Sequence, residues 1–229
     1  VLGAGLASCL SAVSVTDAAA QVGHTPTNSP YEDLKVGQSL FISAGWLSVL
    51  SDPAGVAPKS SVLGQLRYDI NIGGPASLYA RYAIAPTERT QLAPSAVAAK
   101  RVTGTPSVLL HNFDGGLDIS LTGQKTWHRL MPSLTGGIGV VSDFAKADSG
   151  GYKFGTKFSF TYGLGLRYVR RGGAQFRVDL TSYLWQYEYP DGYFLTATDN
   201  TSVLTDPRNR TKWRSNYAFS AGVALPIFR

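Results

Sequence analysis

The stretch Lys157–Tyr189, KFSFTYGLGLRYVRRGGAQFRVDLTSYLWQYEY, decides the fold. Phe158, Phe160, Tyr162, Leu164, Leu166 and Tyr168 occupy every second position, and Lys157, Ser159, Thr161, Gly163, Gly165 and Arg167 fill the gaps. Period 2 over so long a run marks a strand with one apolar and one polar face. After Arg171-Gly172-Gly173 the alternation resumes, with Phe176, Val178 and Leu180 set against Arg177, Asp179 and Thr181. A three-residue loop ending in Gly suits a hairpin. It keeps the faces in phase and sets Tyr168 opposite Phe176 and Arg167 opposite Arg177.

Strands of about 10 to 14 residues exceed the usual 5 or 6 of soluble sheets. A transmembrane barrel turns the apolar parity to lipid and the polar parity to the lumen. A lipocalin-like barrel alternates in a similar way, so the hairpin alone leaves both open. The rest of the chain chooses between them. Strands are expected over 38–47, 62–72, from Leu78 to Ile84, 113–123, 130–141, the two arms of the hairpin, and 213–228. Connections after the first, third, fifth and seventh are long, and those after the second, fourth and sixth are short. Short periplasmic turns, long external loops and an even strand number are features of outer-membrane barrels. The expectation is therefore an all-β, eight-stranded antiparallel up-and-down transmembrane barrel over residues 38–229.

The ends and the composition agree with export. No apolar run reaches the roughly 18 residues of a membrane helix. Residues 1–20 read as the remainder of a signal peptide, with Ala18-Ala19-Ala20 as the cleavage site and the basic region expected upstream of Val1. Leu6-Ala7-Ser8-Cys9 resembles a lipoprotein box, but the apolar run continues past Cys9 to Val15, which favours the later site. The single cysteine then leaves with the signal, excluding a disulfide framework and a cysteine metal site. Residues 21–37 carry no period and read as a periplasmic segment. The net charge of +6 is spread along the chain, which argues against a nucleic-acid groove and for anionic lipid headgroups as partners.

Over 38–229 the chain resembles the small eight-stranded outer-membrane barrels of the OmpA and OmpX type. The pattern Ser220-x-Gly222-x-x-Leu225-x-Ile227-Phe228 resembles the C-terminal signal read by the barrel-assembly machinery. Pro226 and Arg229 depart from it. The resemblance implies location in the outer membrane, contact with lipid and lipopolysaccharide, assembly by that machinery, and a monomer without cofactor or metal.

Arg67, Asp69, Arg81, Asp118, Lys157, Arg167, Arg177 and Asp179 all fall on the lumen parity. An eight-stranded barrel is just wide enough for side chains to fill it, so these read as a network of paired charges rather than an ion path. Ile72 opposite Leu78 would place Arg81 opposite Asp69. Some outer-membrane barrels are lipid A acylhydrolases, and His111 with Ser107 and Glu88 or Glu188 is the one set resembling their catalytic groups; an exposed loop histidine is the plainer reading. Trp46, Trp185, Tyr187, Tyr189, Trp213 and Tyr217 read as an interfacial girdle before a sugar site. Function then falls to a structural barrel binding through its long loops, which carry Arg89, Lys100, Arg101, Arg208, Arg210 and Lys212. A narrow solute channel and a lipid A-modifying enzyme are the alternatives.

Overall fold

The computed structural model describes residues 29–34, 37–170 and 174–228, the last four by backbone alone. The expected signal peptide with Cys9, and the loop Arg171-Gly172-Gly173, lie outside the described residues. Eight long strands follow in order: β1 (Gln38–Ser48), β2 (Ser61–Gly73), β3 (Ala76–Glu88), β4 (Ser107–Ser120), β5 (Leu130–Ser142), β6 (Thr156–Val169), β7 (Gln175–Glu188) and β8 (Thr211–Phe228). Each pairs antiparallel with the next, and β8 pairs back onto β1 through Ala221↔Ala44 and Phe219↔Trp46. The sheet is a closed barrel.

The register fixes its shape. Paired residues run from Gln38 through Ile70, Leu78, Leu117, Gly136, Tyr162, Ser182 and Tyr217, then return to β1 at Ser48, ten residues further along. A stagger of this kind requires strands tilted by roughly 35–45° to the barrel axis. On the outward parity Ile42, Leu66, Leu117, Ile138, Leu164, Leu180 and Phe219 are all exposed. Water-soluble monomers rarely leave so much contiguous apolar surface uncovered, whereas a lipid-facing belt consists of it. The short turns cluster at one end with the start of β1. There Tyr31–Asp33 forms a small strand against Lys125–Trp127.

The hairpin has the expected register, with Tyr168↔Phe176 and Arg167↔Arg177. Three other expectations need correction. In the first short turn the pairs are Ile70↔Leu78 and Arg67↔Arg81, so Asp69 faces Tyr79 rather than Arg81. The cause is local: Asn71 Oδ1 accepts a hydrogen bond from the Gly73 amide at 2.8 Å, and the pairing skips Ile72 between Asn71 and Gly73. Gly73 and Gly74 then turn the chain with φ of 123° and 55°. A shift of two residues changes partners but not faces, so both arginines still point inward. β4 starts at Ser107 and ends at Ser120, not 113–123, because Gly123 at φ 69° belongs to the turn. β3 and β4 also climb beyond Ile84 and Phe113 through Pro86↔Leu109 to Glu88↔Ser107, which shortens the second long loop to 89–106.

Leu164, paired with Leu180 in the middle of β6, is 56% exposed on the lipid side. Leu164→Arg is expected to destabilise the inserted barrel by about 2–4 kcal/mol if the site lies at the bilayer midplane. Denaturant titration of folding into lipid vesicles measures this.

Candidate functional site

Inside the barrel, the half nearer the short turns holds four arginines and four aspartates. Arg67 Nε donates to Asp69 at 2.7 Å, and its Nη2 pairs with Asp118. Arg177 donates to Asp118 at 2.6 Å and to Asp179 at 2.8 Å, while Arg167 reaches Asp69 at 2.7 Å. Arg81 binds both oxygens of Asp114, at 3.0 and 2.7 Å, and donates to Thr181 at 2.9 Å. All eight residues are buried. Charges this dry are tolerable only when paired and hydrogen-bonded.

Two like-charged pairs are also neighbours across strands, Arg67↔Arg81 and Arg167↔Arg177. An aromatic ring lies beside each. The Tyr79 ring is 4.3 Å from Arg67 Cζ and 5.4 Å from Arg81 Cζ, and the Phe41 ring is 4.7 and 5.5 Å from Arg167 and Arg177. The negative ring faces soften the repulsion between the cations. Gly165 supplies room, because a Cβ there would stand 2.6 Å from Arg177 Nη2 and 3.0 Å from Asp179.

Six of the eight residues expected in this network therefore meet, and Arg81 forms a separate pair with Asp114 beside them. Lys157 does not join the ion pairs; it sits half-buried at the other end of β6. Asp114 was not among those expected, although it shares the parity of Asp118 four residues earlier in β4. Extending that alternation back toward the long-loop end finds it.

The half nearer the long loops has a different interior. Leu47, Leu63, Ala83, Ala85, Leu110, Val141, Tyr183, Trp185 and Tyr187 form an apolar cluster beneath the loops. Loop residues complete it from above: Val56, Leu92, Tyr152, Phe154, Tyr189, Tyr193 and Leu204 are buried against it. The girdle assignment holds by exposure for Trp46, Trp213 and Tyr217. It is overturned for Trp185, Tyr187 and Tyr189, which are buried. Trp185 and Tyr187 share the odd parity of Arg177 and Asp179, and that signal was already present in the hairpin.

The four loops (49–60, 89–106, 143–155 and 189–210) interlock. Tyr152, Tyr189 and Tyr193 form a ring-stacked trio with centroids 5.9 to 6.2 Å apart. Tyr189 Oη donates to Asp52 Oδ2 at 2.7 Å, joining the first loop to the fourth. Burial first, and Asp52 second, push the Tyr189 hydroxyl above its ordinary range, so it stays a neutral donor. Arg89 is not the exposed headgroup contact its loop position suggested. It is 2% exposed and lies over the Tyr152 ring at 5.2 Å, with Asp143 Oδ2 3.8 Å from its Nε.

The second and fourth loops are tied by Arg101, which donates to the Ser202 carbonyl at 3.1 Å and to Thr201 Oγ1 at 2.7 Å. Ala98 N also donates to Asp199 at 2.7 Å. The Thr201 hydroxyl, followed by the Ala98 amide, holds the Asp199 carboxyl down at about 2.

The residues considered for catalysis are not assembled. His111 lies in β4, not in a loop, and its Nδ1 meets Tyr82 Oη at 2.8 Å instead of a carboxylate. Ser107 stands four positions up the same strand, about 13 Å away at strand rise. Glu88 is paired with Lys59 at 3.2 Å, and Glu188 belongs to β7, across the barrel. Among the described residues no group of three or more His, Cys, Asp or Glu could hold a metal ion.

No family model matches the sequence, and no curated protein matches it. Among solved structures, the chain is similar to Neisserial surface protein A (10% identity, 87% of this chain and 98% of that one, TM-score 0.48). It is also similar to the Yersinia pestis outer membrane protein Ail in a phospholipid bilayer nanodisc (15% identity, 82% and 99%, TM-score 0.42). The fold itself rests on the strand pairing described above. By its closed eight-strand ring and outward apolar belt, this chain has the fold of a small transmembrane β-barrel.

Two outcomes are expected. Asp118→Asn leaves Arg67 and Arg177 short of a shared counter-charge in a dry interior, and should cost about 3–5 kcal/mol. Refolding titrations measure that loss. The depressed Asp199 carboxyl contributes to the contact between the loops above its unfolded value near 4. That contribution fades as pH falls from about 4 through about 2. The Ala98 amide resonance followed by NMR should titrate over that window in the native chain and stay flat in Asp199→Asn.

Proposed function

We propose that this protein is a non-conducting outer-membrane scaffold whose working surface is the interlocked cap of its four long loops, and that the cap binds an anionic surface partner such as lipopolysaccharide. The observation carrying this reading is the two-storey interior. The salt-bridged arginines and aspartates occupy one half, and the aromatic cluster under the loops occupies the other. An eight-stranded ring leaves no continuous aqueous bore once such side chains project inward.

With the lumen filled, chemistry toward the exterior falls to the loops. Lys100 and Arg208 are exposed there and Lys212, placed by the structure at the start of β8 instead of in the loop, is exposed beside them; none of the three takes part in the ion pairs of the described residues. Arg210 is engaged with Asp191, and Arg101 is committed to the fourth loop, so these two serve the shape of the cap. Insertion through the barrel-assembly machinery, directed by Ser220, Gly222, Leu225, Ile227 and Phe228, belongs to the same reading. So does a monomeric state. A channel and a lipid A-modifying enzyme are the competing readings.

Purified protein in a planar bilayer is expected to show no steady conductance. Replacing Lys100, Arg208 and Lys212 by Ser should leave heat-modifiable migration on gels intact while weakening retention of lipopolysaccharide in a pull-down. Steady conductance would instead favour the channel. A mass change in lipid A on incubation with the protein would favour the enzyme.

A further inference from the structure

In the middle of the lipid-facing parity of β3 and β4, between Leu78 and Tyr82 on one strand and Phe113 and Leu117 on the other, two small residues meet. Ala80 and Gly115 are direct register partners. Their small size leaves a hollow of about 630 Å³ in the outer wall, walled by Leu66, Tyr68, Tyr82, Phe113, Ile138 and Phe158.

A file of rings leads from this hollow toward the long-loop end. Tyr82 stacks on Phe113 with centroids 4.5 Å apart, Tyr82 Oη meets His111 Nδ1 at 2.8 Å, and the Phe144 ring lies 5.1 Å from His111. Phe144 holds φ at 48°, a conformation rare for a bulky side chain, yet its ring is 70% exposed. An apolar hollow joined by a file of rings to an aromatic presented outward at the cost of backbone strain points to a ligand that runs along the file.

We propose that this hollow binds one acyl chain of a phosphate-bearing outer-leaflet lipid, with its headgroup at the level of His111 and Phe144. The chemistry of the walls selects the occupant. At this depth any extended peptide would leave its own N–H and C=O groups unpaired against an apolar surface. A hydrocarbon chain has no polar atoms to satisfy and takes the shape of the hollow. Because Nδ1 is engaged by Tyr82, His111 keeps Nε2 for a phosphate or ester oxygen above the chain. The site is separate from the loop cap and does not rest on the binding assigned to it.

The test uses the full chain in nanodiscs doped with phosphatidylethanolamine carrying a photoreactive diazirine in its acyl chain. Cross-links mapped by mass spectrometry should concentrate on β3 and β4 around Ala80 and Gly115, above the level on the far wall around Leu180 and Phe219. Ala80→Phe fills the hollow from the lipid side, where the side chain is exposed, and should remove the enrichment while heat-modifiable migration persists. His111→Ala should reduce the enrichment for phosphatidylethanolamine but not for a diazirine-labelled diacylglycerol, which lacks the phosphate. Uniform labelling of the belt, or enrichment unchanged in Ala80→Phe, would overturn the proposal. So would cross-links between two copies of the barrel through β3 and β4.

Discussion

Between the two surfaces of a bilayer every backbone N–H and C=O must find its partner within the protein, because the surrounding hydrocarbon offers none. In this chain the last requirement is met by the ladder of β8 on β1, from Tyr217↔Ser48 to Leu225↔Leu40. Without it two strand edges would face lipid. With it the strand number, the ten-residue stagger and the tilt are fixed together, and so is the width of the interior. That width decides what the inward parity can be. It is too narrow for an open water column once long side chains enter, yet wide enough to hold arginines end to end across the ring.

The charges inside follow from that geometry. Four guanidinium groups and four carboxylates come from five strands, β1, β5 and β8 supplying none of them. Asp69 receives Arg67 and Arg167, and Asp118 receives Arg67 and Arg177. Sharing of this kind converts cross-strand neighbours of like charge into a neutral lattice, with Phe41 and Tyr79 lying against the cations. The lattice joins strands far apart around the ring, so it holds the barrel's cross-section as well as filling it. Closer to the loops the same parity turns aromatic, and there the interior is continuous with the loop core.

This continuity gives the cap its order. Loops over an empty barrel would have only each other to pack on. Here Tyr152, Tyr189 and Tyr193 rest on the aromatic storey formed by Trp185, Tyr187 and Phe154, and Asp52 is drawn in by the Tyr189 hydroxyl. A surface held in one shape can recognise a partner without first bearing the entropy of ordering itself. The outer wall is shaped more simply, by the sizes of the side chains facing lipid, and at Ala80 and Gly115 those sizes fall away.

Much of the fold was legible in the chain because a strand's two-residue period is a local property, and a closed barrel separates its two environments by that parity alone. The hairpin from Lys157 declared its register; the alternation of long and short connections declared that the short turns share one end of the barrel and the long loops the other. Six of the eight charges placed inside on parity share one set of ion pairs, and Arg81 is buried beside them, since two-residue slips such as the one at Asn71–Gly73 leave faces unchanged. Their partners were another matter. Arg81 binds Asp114 on β4 rather than Asp69 on β2, because pairing across a barrel depends on register around the ring and on which side chains reach past a glycine. The inward turn of Trp185 and Tyr187 was written in the same parity, but the burial of Arg89 and the joining of Asp52 to Tyr189 were not. Those contacts link loops far apart in sequence, and no period in one loop carries information about the position of another. Only packing on a shared core decides it.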